Sequence, residues 1–516
     1  MPEKVCILQT TDVHCQMDTH DELFWEDGQA VFRQCGGYAQ LSARLKALKR
    51  EYPQSLLLDT GDMFQGSMLS VLTEGEALVP ILNALPYDLY VPGNWEVIYG
   101  KEQMIRLLGA LKAPTICANM HHDERGLPGA LIFKPYFIWK AAGLRIAILG
   151  YTDPLVPLRQ SPSYSRGIVY SEPAATLPHY VKELRAMGAD MILIACHLGL
   201  SQEIALANNP AARGVDYILG GDTHERVRKP IRGKFSTVVE PGAFGSFIGK
   251  LTLSVAEGRI KRKTYSLLEV DAAKATPDQK VQSLIENEKA PYLSEMQAVV
   301  GHSRIPLYRY FVIENPIDTL VTDALAWRFP EIDIAFSNGF RFCPPLATIG
   351  EDGRIAITRA YIYDMLPVDS VVRTGKVSGL QLRNWLEKEL NNVFAREASK
   401  RFGGWLVKFK GMQVEFEAYA EMGQRVKRVR VGGKALKDAK VYSILACERE
   451  GDPDDHLCRL QKVQDAKNTR LTLHDVLLEY LAAHPTVNPK PRGDAVALDA
   501  PATLLSQVSG VDYEFR

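Results

Sequence analysis

Five short stretches of this 516-residue chain carry the side chains best suited to chemistry. They are Asp12-Val13-His14, Gly61-Asp62, Gly93-Asn94-Trp95-Glu96, Cys196-His197 and Gly221-Asp222-Thr223-His224. In order they supply Asp, His, Asp, Asn, His, Asp and His. Carboxylates mixed with imidazoles suit Mn²⁺, Zn²⁺, Fe or Mg²⁺. An Asp two residues from a His at a strand end can turn both side chains to one ion. A central Asp can bridge two ions about 3.5–4 Å apart, the spacing used in two-metal ester hydrolysis. Each stretch alone is short and common, and a lone His after a strand is more often a satisfied polar group than a ligand. The ordered set is what carries information.

The elements needed to position these residues are legible in the same half of the chain. Apolar runs at Lys4–Gln9, Ser55–Asp59, Leu89–Pro92, Thr115–Ala118, Arg145–Gly150, Met191–Ala195 and Tyr217–Gly220 read as strands. Helical patterns such as Gly37–Glu51 and Ala174–Met187 lie between them. Strands alternating with helices predict an α/β fold with parallel or mixed sheet. Several strands run directly into polar or Gly-containing loops (QTTDVH, DTGD, VPGN, ACH, GGDTH). Ligands of such folds collect at the carboxyl ends of strands. Residues 1–270 are therefore read as the first domain. The polar, Pro-interrupted stretch 271–299 reads as a helical linker. Residues 300–516 read as a second α/β domain, with helices near Asp318–Arg328, Leu380–Phe394 and His474–His484.

Composition removes other classes. Hydrophobic residues make up 46% and charged residues 24%, ordinary for a globular protein and unlike a disordered or fibrous chain. Lys+Arg and Asp+Glu both number 61, which argues against a nucleic-acid polymer as partner. No apolar run reaches membrane-spanning length. The eight Cys form no CxxC pair and read as reduced core thiols. The chain enters a strand almost at once, leaving no room for a signal peptide, so a cytoplasmic protein is expected. An exported protein whose leader has been removed would read the same.

The ordered motifs resemble the calcineurin-like metallophosphoesterases, and within them the 5′-nucleotidase superfamily. The resemblance implies a four-layer α/β/β/α metallophosphoesterase domain carrying two metals, plus an α/β 5′-nucleotidase-type C-terminal substrate-binding domain. By motif, Asp12, His14 and His224 would bind the first ion, Asp62 would bridge, and Asn94, His197 and Asp222 would bind the second. Two divalent ions are thus expected, Mn²⁺ ahead of Zn²⁺, Fe or Mg²⁺.

The chain departs from that pattern in informative places. The family's fourth block reads Gly-Asn-His-Glu, with an Asp two residues after the Glu. Here Trp95 and Ile98 stand where the transition-state His and its Asp would be. Trp offers one N–H and no exchangeable acid proton. Losing one transition-state donor typically costs roughly 10²–10³ in rate, by analogy with oxyanion holes. The fifth block reads Gly-His-x-His in the family, and Asp222 replaces its first His. Asp222 is either a ligand or a group that only orients His197. SoxB, the thiosulfohydrolase branch, has Trp at the dyad position, and Trp95-Glu96-Val97-Ile98-Tyr99-Gly100 looks similar to its block. Ser337–Phe342 likewise resembles a Gly-Phe-Arg-aromatic motif of that branch. Asn94 instead matches the nucleotidases.

In the C-terminal half, Asn338, Arg341, Trp405 and Asp452 are the expected substrate contacts. Arg341 would clamp an anionic group. Trp405 would supply one ring of a base-stacking pair, while Ala446 falls where the second ring would sit. The segment His20–Asp27 is read as a rim adding acidic groups, or as a surface loop with two buried aromatics.

The function expected is a dinuclear-metal hydrolase that cleaves a phosphomonoester, a 5′-nucleotide or related, by metal-activated hydroxide. Asn94 and Trp95 are the expected catalytic residues beside the ions. A SoxB-like hydrolase of a sulfur ester is the first alternative. A catalytically degenerate metal-binding protein of the same fold is the second. The partner expected is a small anionic ester; the oligomeric state stays open.

Overall fold

The computed structural model describes residues 2–337, 343–402 and 405–505. Asn338 and Arg341 therefore lie outside the described residues. The described chain forms two compact units that divide between Pro291 and Tyr292.

The first unit is built on two sheets. The five-stranded sheet has the spatial order Arg259–Glu269, Phe247–Ala256, Glu3–Thr10, Ser55–Asp59, Leu89–Tyr90. Its last three strands are mutually parallel. The six-stranded sheet runs Ile231–Arg232, Thr237–Val239, Tyr217–Leu219, Met191–His197, Leu144–Thr152, Tyr136–Ala141. Four of its strands, from Thr237–Val239 to Leu144–Thr152, are parallel.

Period-2 alternation explains how the sheets meet. Val5, Ile7, Leu56 and Leu58 from one sheet share a single core with Ile146, Ile148, Leu193 and Ala195 from the other. The alternate residues Cys6, Leu8, Leu57, Ile192 and Ile194 are also buried, so both faces of each central strand are covered. Helix Tyr38–Glu51 contributes Leu41, Leu45 and Leu48 to this covering. The architecture is the α/β/β/α order that the family resemblance implies. Residues 115–118 form only isolated bridges rather than a strand.

The stretch expected as a linker is divided. Helix Gln279–Lys289 belongs to the first unit, buries Val281 and Ile285, and packs on helix Tyr38–Glu51. Its N-cap Asp278 accepts hydrogen bonds from the Ser42 hydroxyl and Lys46. The apolar spacing of that helix overrides its polar composition. The segment His20–Glu26 is not a surface loop. It is a strand paired with Gln29–Cys35, with Leu23 and Phe24 fully buried and Glu22 ion-paired to buried Arg226.

The second unit holds a five-stranded sheet in the order Lys408–Lys410, Ile334–Ser337, Val441–Cys447, Val371–Ser378, Gln464–Thr472, with smaller sheets of three and four strands. Helices Gly379–Phe394 and Leu473–Ala483 each begin with a reciprocal capping box, Ser378/Gln381 and Thr472/Asp475. Helix Pro316–Arg328 is buried along most of its length.

Candidate metal centre

The parallel strands of both sheets end at one place. From the first sheet, the loops after Thr10, Asp59 and Tyr90 carry Asp12, His14, Asp62 and Asn94. From the second, the strand ends at Cys196-His197 and Leu219 present His197, Asp222 and His224. Backbone bonds fix the loops to each other: Asp12 N–H to Gly61 O at 2.9 Å, His14 N–H to Asp62 O at 3.0 Å, and Gly199 N–H to Gly221 O at 2.9 Å. The Gln9 amide donates to Gly220 O at 2.7 Å and to Thr60 Oγ1 at 3.0 Å, tying one sheet to the other.

These loops are held in costly conformations. Asp12, His14, Asp62, Asp222 and His224 all have positive φ, between 45° and 85°. Each such non-Gly residue costs about 1–3 kcal/mol and persists only where the surroundings over-determine it. Space is equally tight. A Cβ on Gly93 would sit 2.2 Å from Asp62 Oδ1, so only glycine lets these two loops approach.

His14, His197, Asp12, Asp62 and Asn94 are each oriented by a partner on the far side. His14 Nδ1 donates to Gln65 O at 2.9 Å, and His197 Nδ1 donates to Thr60 O at 2.6 Å. A carbonyl oxygen only accepts, so both rings carry the proton on Nδ1 and turn the Nε2 lone pair inward. Asp12 Oδ2 accepts from Thr11 Oγ1 at 2.7 Å and Asp222 N–H at 3.0 Å. Its other oxygen, Oδ1, lies 3.2 Å from His224 Nε2 and 3.7 Å from both His14 Nε2 and His197 Nε2. Asp62 Oδ1 accepts the Trp95 backbone N–H at 2.8 Å, which leaves Oδ2 at 3.1 Å from His197 Nε2 and 3.6 Å from His14 Nε2. Asp62 Oδ2 thus stands between the two imidazoles. The Asn94 amide donates to Asp222 Oδ1 at 2.9 Å, which turns its carbonyl inward.

Three buried atoms here have no hydrogen-bond partner: Asp12 Oδ1, Asn94 Oδ1 and His197 Nε2. All three are electron-pair donors, and leaving one buried and unmatched costs about 1–3 kcal/mol. Among the described residues, Asp12, His14 and His224 form one group whose donor atoms lie within 4.8 Å of one another, and Asp12, Asp62 and His197 form another. The donor chemistry fits two adjacent divalent cations. His14, His224 and Asp12 would hold one. His197, Asn94 and Asp62 would hold the other, with Asp222 beside them.

The alternative role for Asp222 finds no support in the geometry. The Nδ1 of His197 is oriented by Thr60 O, and Asp222 Oδ1 stands 3.9 Å from Nε2, on the inward side of the ring. Burial opposes the charge on Asp12, yet His197 and His224 hold its carboxyl well below the usual carboxylate range. Burial also acts against a charged His197, and the carboxylates of Asp62 and Asp12 overcome it to raise that imidazole, so a cation bound there would take the place of a proton on Nε2.

The surroundings contain functional groups that motif reading misses. Glu96 accepts the backbone N–H groups of Asp62, Met63 and Gly93, clamping two of the loops with one carboxylate. Its place in the fourth block is visible in the sequence, but its target is not. Arg159 donates to Asp153 Oδ2 at 2.8 Å and approaches Asp222 Oδ2 at 3.4 Å, placing a cation beside the extra carboxylate. No local pattern marks that arginine. Trp95 is 6% exposed, so the residue at the expected dyad position is buried.

The C-terminal expectations fare differently. Trp405 is 5% exposed within the core of the second unit, and its Nε1 donates to Arg309 O at 3.2 Å. This corrects its reading as a stacking ring, because packing uses the surface a base would need. Asp452 is half-buried and accepts the Arg449 guanidinium at 2.9 Å. His121 bonds Gly129 O at 3.0 Å and Ser171 Oγ at 3.1 Å, the bland alternative to a metal cluster.

Residues 6–226 match the calcineurin-like phosphoesterase family, and residues 299–447 match the 5′-nucleotidase C-terminal domain. The chain thus joins a calcineurin-like phosphoesterase domain to a 5′-nucleotidase C-terminal domain. It is accordingly a metal-dependent hydrolase of the 5′-nucleotidase-like class. It is 22% identical to a 5′-nucleotidase of Diplobatis ommata over 98% of this chain and 91% of that one. For some other curated 5′-nucleotidases the match spans less than half of the relative. The fold is similar to the sulfate thiohydrolase SoxB of Thermus thermophilus, solved in complex with glycerol, with a TM-score of 0.86 and 24% identity over 97% of this chain and 98% of that one. It is also similar to a 5′-nucleotidase precursor of the same species, with a TM-score of 0.81 and 21% identity over 96% of this chain and all of that one.

Proposed function

We propose that this phosphoesterase is a dinuclear-metal hydrolase of phosphomonoesters, with 5′-nucleotides as the first substrate class to test. One observation supports it most. Among the described residues, donor atoms of Asp12, His14, Asp62, His197 and His224 gather in two groups that share Asp12, and three atoms at this place, Asp12 Oδ1, Asn94 Oδ1 and His197 Nε2, are buried without a hydrogen-bond partner. When bound, two divalent ions would lower the pKa of water and neutralise charge on the transferred group. The protein's part is positional. Asp62, fixed through Oδ1 by the Trp95 N–H, spans the two halves of the site. Asn94 keeps its carbonyl inward by donating to Asp222. Mn²⁺ fits a donor set that mixes carboxylate and amide oxygens with imidazoles.

Trp95 favours a second reading, the hydrolysis of a sulfur ester. An indole cannot act as a general acid, and a thiolate displaced from a sulfuryl centre by hydroxide needs less protonic help than an alkoxide displaced from phosphorus. Phosphate release from AMP by the Mn²⁺-loaded protein, beside an Asp62→Asn control, separates the readings. Turnover lost in the control supports the phosphomonoesterase. No release above the control, in protein shown to hold two ions, overturns it and brings the sulfur ester forward.

A further inference from the structure

The loop between strands Thr237–Val239 and Phe247–Ala256 contains Phe244, which no motif singles out. Phe244 has φ 58°, a conformation that a bulky side chain rarely adopts. Glycine would occupy that backbone at little cost, and the residue that follows, Gly245, does so at φ 69°. The presence of a ring at the strained position therefore calls for a reason beyond the turn.

The ring's neighbours supply one. Phe244 is 2% exposed. Its centroid lies 5.2 Å from that of His224 at an interplanar angle of 80°, and 6.2 Å from that of His14 at 48°. A third imidazole, His20, meets it edge-on at 6.1 Å and donates or accepts at Ser246 Oγ, 3.0 Å away. The backbone N–H of Phe244 donates to Asp12 O at 2.8 Å. One residue thus touches all three members of the Asp12, His14, His224 group.

We infer that Phe244 is a positioning residue for one of the two ions: its ring sets the planes of His14 and His224 so that both Nε2 atoms face the same point. Those two atoms already lie 3.1 Å apart. The edge-on contact with His224 is a preferred aromatic geometry, and the tilted contact with His14 adds to the hold of Gln65 O on that ring. An imidazole binds a cation well only with its lone pair aimed along the ring plane, so the fixed planes preorganise the pair. The other group shares Asp12, which Phe244 holds through its backbone N–H and not its ring, while Asp62, Asn94 and His197 are oriented by Trp95 N–H, Asp222 and Thr60 O. The inference rests on the reading of the cluster as a two-ion site.

The test is Co²⁺ titration of full-length protein against a chromophoric chelator, with the visible spectrum of bound Co²⁺ as second readout. Phe244→Leu keeps the backbone strain and most of the bulk but removes the ring. It should weaken one ion by about tenfold or more, the range found for groups that orient metal-bound imidazoles, and alter its spectrum. The other ion should stay within about threefold. Phe244→Tyr retains a ring and should keep both affinities near wild type. Equal weakening of both ions, or no change in Phe244→Leu, overturns the positioning role while leaving the two-ion reading intact. Wild-type protein that binds no Co²⁺ overturns both.

Discussion

Trp95 is the residue whose chemistry departs furthest from the ester hydrolases this chain resembles. Its backbone does part of the work of the site by holding Asp62 Oδ1 at 2.8 Å, while its indole contributes no titratable proton. The turn Gly93–Gly100 places Ile98 one turn on, its N–H bonded to Trp95 O at 3.1 Å. A side chain at position 98 can therefore meet one at position 95. Restoring an acid–base pair there, Trp95→His with Ile98→Asp, should raise kcat/KM for AMP by about 10²-fold, the usual contribution of one positioned proton donor. The substitution also removes a buried indole, so stability should fall by about 3–5 kcal/mol if the cavity stays open. Phosphate release and urea unfolding measure the two effects separately. A double variant that keeps its ions yet gains no rate would show that the rate is limited elsewhere, with Arg159 and Asp222 the first places to look.

At the scale of elements, the site depends on how closely two loops pass. Gly61 and Gly93 face each other, and Gly93 has Asp62 Oδ1 where its Cβ would go. Gly93→Ala must push Asp62 away from the line between His14 and His197. We expect bound Mn²⁺ to fall from two ions per chain to one or fewer, read by metal analysis after dialysis, with the helices intact by circular dichroism. Retention of two ions would show that the Asp62 carboxylate can relax without loss. The strand ends, the glycines and the loops that carry Asp12, His14, Asp62, His197 and His224 are legible in the sequence, because apolar strands there stop at polar loops. Phe244, the three-fold clamp of Glu96 and Arg159 are not. Each reaches a partner more than 30 residues away in the chain, and none of these contacts leaves a local pattern. The helix Gln279–Lys289 reads as a linker because its composition is polar, although Val281 and Ile285, four residues apart, already mark a buried stripe. Trp405 misleads for the opposite reason: an aromatic in a motif looks the same whether its faces meet a ligand or a core.

For the whole molecule the consequence is a pH dependence that reverses with metal. Behind the donor side chains lie buried carboxyl groups whose charge is opposed by their surroundings. Burial pushes Asp59 up to about 8 from its ordinary 3.8, against hydrogen bonds from Thr10 Oγ1 and Gly61 N–H. Burial likewise pushes Glu203 up to about 8 from 4.5. In the metal-free protein these groups keep their protons in the folded state at pH values where the unfolded chain has lost them. The native state then binds more protons than the unfolded one, so stability must fall as pH rises from about 4 to 8. Each such group costs up to about 1.4 kcal/mol per pH unit in that window. Ion binding has the opposite sign, because the imidazole ligands must be deprotonated and affinity rises with pH. Metal at a hundred times its Kd adds about 2.7 kcal/mol per ion. The stability gap between loaded and metal-free protein should therefore widen steadily from pH 5 to 8. Asp59→Asn mimics the protonated carboxyl at every pH, so it isolates one group. In guanidinium unfolding of metal-free protein, the fall between pH 5 and pH 8 should be smaller in Asp59→Asn than in wild type by about 1–4 kcal/mol. Identical slopes in the two proteins would mean that Asp59 is ionised in the native state, and that its charge is carried by the hydrogen bonds from Thr10 and Gly61.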